Sequence, residues 1–495
     1  MKYSYRSPYK EKPQTPVIAV FAEQKMSHPF LRTLDEQDAR YVSAILKDFK
    51  AGWLEMDAVS LPSRPAAHAI LLGLGDRKKW THRKMYLATR KLVQYVKGAK
   101  EKTCSVLLDD VKIPGLSLEH TAERFAREAE LAQYEFNHYR ETPKEGWPSI
   151  DEIFVYTKVS SASRSVQKAL ERGGIVGEQV NRSRELANIP GGDMTPKRLA
   201  AAAQEDGKRF GFTVTVLGEP EMKKLKMGAL LGVSQGSDEE AQLIVMEYRG
   251  GAKSKKPIVF VGKGITFDTG GINLKPTGAL DEMHMDMSGG AAVLAALGAI
   301  ARLKLRVNVV GIIPAVENMP SGSSYRPGDI LRSMSGKTIE VCNTDAEGRV
   351  VLADALTYAE RYDPSLVVDC ATLTGACMVA LARYASGLFS YDESLVSRLR
   401  TYGEQSGDYL WPLPLWEEYE EELKSKVADL SNANKTRNAG ATNGALFLAQ
   451  FAKKFPRWAH VDIASSMTTA PDMFLAAGSR GAATALFVEI ARGES

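Results

Sequence analysis

The sequence predicts an α/β protein in two parts. A smaller N-terminal α/β domain precedes a larger C-terminal α/β/α domain with a mostly parallel central sheet. Three observations carry this prediction. Strand-like and helix-like stretches alternate along the chain, as parallel strands joined by crossover helices require. Strand-like stretches of the second part, such as 258–261 and 307–313, are nearly continuous apolar runs, which suits strands covered on both faces. The chain has 495 residues, more than one hydrophobic core usually organises.

Composition narrows the class. Charged residues make up 25% and hydrophobic ones 44%, an ordinary globular balance. The net charge of +4 is weak grounds for a nucleic-acid partner. Arg77-Lys78-Lys79 with Arg83-Lys84 is a local basic cluster and reads as a solvated helix face. Cys104, Cys342, Cys370 and Cys377 have no CxxC spacing, sit in apolar surroundings and read as reduced, buried thiols of a cytoplasmic protein. Residues 1–16 are polar and lack a signal-like apolar stretch. The longest apolar runs, 289–301 among them, fall short of the ~20 residues of a membrane span.

In chain order, 17–21 reads as a strand and 38–49 as an amphipathic helix. A strand follows at 69–72, then a long helix through Tyr95, then a strand at 105–108. Gly73-Leu74-Gly75 lacks the third glycine of a dinucleotide loop, because Lys78 stands there, and reads as a turn. Residues 163–187 read as a connecting helix with Gly173-Gly174 as a kink. Asn188-Ile189-Pro190-Gly191-Gly192 ends it, and Thr195-Pro196 starts the next helix. The expected boundaries are therefore 1–163, a connector at 164–187, and 188–495. Strands follow at 213–217, 243–248, 258–261, 307–313, 367–369 and 461–463, with helices at 291–302 and 353–361 between them. Such sheets place ligands beyond the carboxyl ends of their strands.

Residues 343–349, Asn-Thr-Asp-Ala-Glu-Gly-Arg, lie between a strand-like stretch at 338–342 and a helix-like one from 350. Two positions apart, Asp345 and Glu347 face one side of an extended segment. Crowded acids call for a cation between them. Arg349 in the first helical turn, with the free N–H groups there, suits an anion. An isolated D-x-E is usually a solvated turn, but the other strand ends overturn that reading. Lys263 and Asp268 follow 258–261, Thr372 and Gly375 follow 367–369, and Ala464 and Met467 follow 461–463. Asp286 precedes a helix start. Asp268, Asp286, Asp345 and Glu347 carry four negative charges, which two divalent ions would neutralise. No HExxH occurs, and the oxygen-rich donor set excludes a zinc finger and accepts zinc, manganese, magnesium or cobalt. Of the two lysines, Lys263 and Lys275, one suits a neutral metal ligand and the other an oxyanion stabiliser.

These motifs together resemble the cytosolic leucyl aminopeptidase family. The likeness rests on 343–349, 261–264 and 266–271. It continues through Asn318-Met319-Pro320, 325–329, 371–376 and 458–464, and covers most of 180–495. The resemblance implies a catalytic C-terminal domain that removes N-terminal residues, leucine-like ones by preference, from peptides with a free amine. It implies a tight ion on Lys263, Asp268, Asp286 and Glu347, and a more exchangeable one on Asp268, Asp345 and Glu347. Lys275 and Arg349 match the catalytic pair. Bicarbonate on Arg349, cradled by Gly348 and Leu373, is the implied general base. Met283, Asn343, Thr372, Gly375, Ala464 and Met467 match the pocket for the first residue. A homohexamer is implied as well. Val350, Ser465 and the stretch 473–483 depart from the family pattern and bear on preference rather than chemistry. His284 matches no ligand position. The alternatives are another two-metal hydrolase, for which phosphate-clamping residues are too few, and an aminopeptidase that also binds DNA, for which basic clusters are few.

Overall fold

A computed structural model describes residues 1–6, 14–23, 28–158, 163–434, 436 and 438–495. The chain forms two compact units. One is Met1–Glu178 with Ala470–Ala476, the other Gln179–Thr469 with Ala477–Ser495.

In the first unit the described strands are β1 (Lys2–Arg6), β2 (Pro16–Phe21), β3 (Met56–Leu61), β4 (Arg64–Gly75), β5 (Thr103–Leu107) and β6 (Glu152–Tyr156). They form one sheet in the order β1-β6-β5-β2-β4-β3. Only β3 and β4 pair antiparallel. Side chains of β2 alternate between two cores, as a strand's period of two dictates. Val17, Ala19 and Phe21 join Leu92, Val96 and Phe125, whereas Ile18 and Val20 join Val42 and Leu46. The helices therefore cover both faces.

Strand β1 lies in the polar N-terminus and pairs in parallel with β6. Two expectations for this unit change. Gly73-Leu74-Gly75 ends β4 and is not a turn; a Cβ on Gly73 would lie 2.1 Å from the Gly52 carbonyl, so glycine serves close backbone approach there. The helix Ser163–Asn188 runs unbroken through Gly173-Gly174. At Gly173 a Cβ would meet the Glu123 carbonyl at 1.9 Å, so the missing side chain lets two helices touch. The basic cluster is a solvated surface as expected: Arg77, Lys78, Lys79 and Arg83 are exposed, and Lys84 lies 4.7 Å above the Trp53 ring.

The second unit contains β7 (Thr213–Leu217), β8 (Gln242–Arg249), β9 (Ile258–Gly262), β10 (Gly264–Asp268), β11 (Asn308–Asn318), β12 (Ile330–Arg332), β13 (Thr338–Glu340), β14 (Leu366–Ala371), β15 (Ser386–Phe389), β16 (Leu410–Pro412), β17 (Leu430–Ser431) and β18 (Trp458–Asp462). The large sheet runs β16-β15-β18-β14-β9-β11-β8-β7, with β10 also on β11. Its centre, β18-β14-β9-β11, is parallel throughout. β9, β14 and β18 are buried along their whole lengths, as their apolar runs foretell. The helix Ser288–Arg302 is buried at every position before Arg302, which its apolar composition on all sides requires.

Two expectations change here as well. β13 belongs to a separate three-stranded sheet with β12 and β17, so 343–349 does not leave the central sheet. Cys342, read as buried, is exposed, whereas Cys104, Cys370 and Cys377 are buried. Among the described residues no helix is long and apolar enough to cross a membrane.

Candidate active site

The site lies where the central parallel strands end. Lys263 stands between β9 and β10. Its N–H donates to the Cys370 carbonyl on β14 (3.0 Å), and its own carbonyl accepts from Gly290 N–H (2.7 Å) at the start of the helix Ser288–Arg302. Glycines permit this crossing. A Cβ on Gly262 would lie 2.4 Å from the Gly289 carbonyl, and one on Gly289 2.3 Å from the Cys370 carbonyl. The close approach brings Asp286, two residues before that helix, against Lys263. Gly289→Ala is expected to cost ~1–3 kcal/mol or more, because backbone rather than a mobile side chain blocks the methyl; urea unfolding measures it.

The charged groups converge. Lys263 Nζ lies 2.8 Å from both Asp286 Oδ2 and Glu347 Oε1, and it donates to the Thr372 carbonyl at 3.0 Å. Lys275 Nζ lies 2.8 Å from Asp268 Oδ2 and 2.5 Å from Asp345 Oδ1. Ligand oxygens of Asp268, Asp286 and Glu347 all fall within 4.8 Å of one another. Glu347 is the first residue of the helix Glu347–Ala359, which Ala346 precedes without a side-chain cap. The helix thus begins three residues before the sequence suggests, and Glu347 is helical rather than part of an extended loop. Gly348 is there to make room: a Cβ on it would lie 2.7 Å from Lys263 Nζ.

Two lysine charges leave two of the four carboxylate charges uncompensated. Burial, then repulsion from Glu347 and Asp268, raises Asp345 to about 6. Burial raises Asp286 to about 8 against the pull of Lys263. Burial, then Glu347, raises Asp268. Burial also opposes ionisation of Glu347, but Lys263 and Lys275 outweigh it and lower its pKa. Burial works against both lysines too, yet their carboxylate partners raise them well above the usual range. Glu347 Oε2 is buried without a hydrogen-bond partner, so a buried acceptor faces the cluster unsatisfied. Hard oxygen donors at this spacing fit a divalent cation. Arg349 offers the converse. It is buried, its Nε and Nη1 have no hydrogen-bond partner, and burial lowers it to about 10. A small oxyanion fits that guanidinium.

The other expected residues divide. Thr372 belongs to the cluster, since its Oγ1 donates to Asp286 Oδ1 at 2.6 Å. Leu373 and Ala464 both donate backbone N–H to Asp462 Oδ1 at 3.1 Å. Leu373 and Arg349 approach the same glycine, Gly444. Asn343 Oδ1 accepts the Asp345 N–H at 2.9 Å. Gly375 opens the helix Gly375–Leu381, Met283 is half-buried and Met467 buried. Among the described residues these three make no hydrogen bond to the carboxylates. His284 is half-buried in the short 3-10 turn Met283–Met285. Two residues without an expected role stand out. Asp462 ties the loops after β14 and β18 together, and Asn318 Nδ2 donates to Asp268 Oδ1 at 2.8 Å. Both lie at strand ends inside motifs already noted, which was the available signal.

Comparison with known proteins identifies the family. The family model for the catalytic domain of the cytosol aminopeptidase family matches residues 181–488, and that for its N-terminal domain matches 17–143. A probable cytosol aminopeptidase of Methylobacillus flagellatus is 41% identical over 475 residues, 94% of each chain. One from Azoarcus sp. is 39% identical over 506 residues, covering 100% of this chain and 99% of its own. Among solved structures, the bottromycin maturation enzyme BotP in complex with Mn has a TM-score of 0.84 at 30% identity. It covers 97% of this chain and 98% of its own.

Proposed function

The chain belongs to the cytosol aminopeptidase family and is a metal-dependent aminopeptidase; from that premise we propose that it works with two divalent ions and prefers leucine-like N-terminal residues. The observation that carries the proposal is the buried convergence of Asp268, Asp286 and Glu347 on Lys263, with Lys275 bridging Asp268 to the partly exposed Asp345. Lys263, Asp268, Asp286 and Glu347 would hold the tighter ion, and Asp268, Asp345 and Glu347 the more exchangeable one. When bound, the ions supply Lewis acidity toward the substrate's amine, its scissile carbonyl and a water. The manganese complex of BotP supports manganese as a candidate ion; zinc is the other candidate in this reading.

The chain's own groups then act as follows. Lys275 remains protonated and half-buried at the rim, where it stabilises negative charge growing on the carbonyl oxygen. Arg349 anchors an anion, bicarbonate in this reading, able to carry a proton toward the leaving amine. Gly348 and Leu373 would help cradle that anion. Met283, Asn343, Thr372, Gly375, Ala464 and Met467 enclose the first side chain, and methionines adapt to branched apolar shapes. Peptides with a free N-terminus are the substrates, a homohexamer the assembly and the cytoplasm the location in this reading.

The test uses metal-stripped protein refilled with zinc, manganese or cobalt and offered leucine amide and its N-acetyl derivative. Activity is expected only with metal and a free amine. Equal cleavage of the acetylated compound would sink amine anchoring.

Metal uptake is expected to release protons. With Asp286 near 8 and Asp345 near 6, the metal-free site holds protons that ions must displace, so affinity rises with pH from 6 to 8. The sign for folding is the reverse. These acids titrate higher in the folded than in the unfolded chain, so the folded state binds more protons between their unfolded and folded values. They therefore make the metal-free fold more stable at pH 6 than at pH 8. Calorimetry in two buffers of different ionisation enthalpy reads the proton release, and thermal unfolding reads the stability.

A further inference from the structure

We infer that Asn318 is a positioning residue: it locks the Asp268 carboxylate to the Asp345 loop and so sets how tightly the more exchangeable ion is held. The inference rests on the two-ion reading and deepens it.

Strand register puts Asn318 in place. β10 and β11 run parallel, and the pairing shifts between Ile265 and Phe267, so that Asp268 stands opposite Asn318, the last residue of β11. An extra residue in one strand re-aims the side chains beyond it. Asn318 is fully buried. Its Nδ2 donates to Asp268 Oδ1 at 2.8 Å and to the Thr344 carbonyl at 3.0 Å. Both partners are acceptors, which fixes the orientation of the amide.

The effect on Asp268 is specific. Oδ1 also accepts the Gly270 N–H at 2.8 Å. Two donors on one oxygen hold the carboxylate plane and leave Oδ2 turned toward Lys275, 2.8 Å away. The same amide reaches the residue next to Asp345. Thr344 is held there from other sides too: Tyr325 Oη donates to its carbonyl at 2.8 Å, and Thr344 Oγ1 donates to the Gly270 carbonyl at 2.6 Å. Thr344 N–H in turn donates to Asn273 Oδ1 at 2.8 Å. One side chain thus spans the two loops whose acids, Asp268 and Asp345, both serve the exchangeable ion. The tighter ion shares Asp268, but its other three ligands, Lys263, Asp286 and Glu347, make no bond to Asn318.

The experiment titrates metal-free wild-type protein, Asn318→Leu and Asn318→Ala with manganese against a competing chelator, and records unfolding temperatures of the metal-free forms. Leucine keeps the approximate shape and removes both donors without adding a charge. The expected result is two ions on the wild type. On both variants the second ion binds ~10–100-fold more weakly, and the first loses less, because only one of its four ligands touches Asn318. Tyr325→Phe, which deletes one outer bond and keeps the packing, is expected to weaken the second ion by less than either Asn318 change and serves if those fail to fold. Wild-type affinity for both ions in every folded variant overturns the inference, as does equal weakening of both ions. A lower unfolding temperature with unchanged affinities marks a purely structural role and overturns it too. A wild type that takes up fewer than two ions refutes the two-ion reading itself, and this inference with it.

Discussion

Glu347→Gln is expected to reduce kcat/KM on the order of 10³-fold or more, because it removes a charge that both proposed ions share. Glu347 Oε1 lies 2.8 Å from Lys263 Nζ, and its Oε2 is buried with no hydrogen-bond partner. Glutamine fills the same volume but presents one oxygen. Either Lys263 keeps that oxygen and an amide NH₂ faces the cation, or the reverse. Both arrangements place a donor against positive charge. The metal-free fold should change little, since losing a partner of Lys263 is offset by less crowding with Asp268 and Asp286. The discriminating measurement is thermal unfolding with and without manganese. A ligand that binds only the folded chain raises its stability, so the wild type should gain on adding metal and the variant should not. A variant within tenfold of wild-type activity would remove Glu347 from the centre of the mechanism.

Arg349→Met is expected to lower kcat ~10²–10³-fold, the range general-base catalysis covers, and to abolish any response to added bicarbonate. The physical reason is the buried guanidinium with Nε and Nη1 unpaired. Unsatisfied buried donors cost ~1–3 kcal/mol each, more when charged. Methionine has similar length and no such cost, so the metal-free variant should be as stable as the wild type or more so. Stability gained where activity is lost is the mark of a group kept for function. Kinetics across a bicarbonate series, paired with unfolding curves, test both halves. An unchanged bicarbonate response would place the anion elsewhere.

The acids were legible because their spacing carries chemistry. Asp345 and Glu347 lie two apart in the chain, and Asp268 and Asp286 sit in glycine-rich stretches beside apolar runs. Helix starts were less legible. The apolar run from Val350 suggests a start, yet the helix begins at Glu347, where a polar turn hides it. Glycine was misread at Gly73 and Gly173 because its two uses, bending and close approach, look alike until a neighbouring backbone is seen. Cys342 was misread because an apolar strand beside it says nothing of which way the next side chain turns.

The chain's order of residues determined the fold class, the continuous strands of the buried sheet and the identities of the acids proposed to hold metal. These follow from local spacing and from apolar runs, which a sequence displays directly. Only the tertiary structure decided which distant groups meet. Lys263 is ringed by Asp286, Glu347 and Thr372 because parallel strands end together and glycines let a helix cross them. Asn318 faces Asp268 because of one shift in strand register. Such meetings depend on pairing between segments far apart in the chain, and no local pattern encodes that pairing.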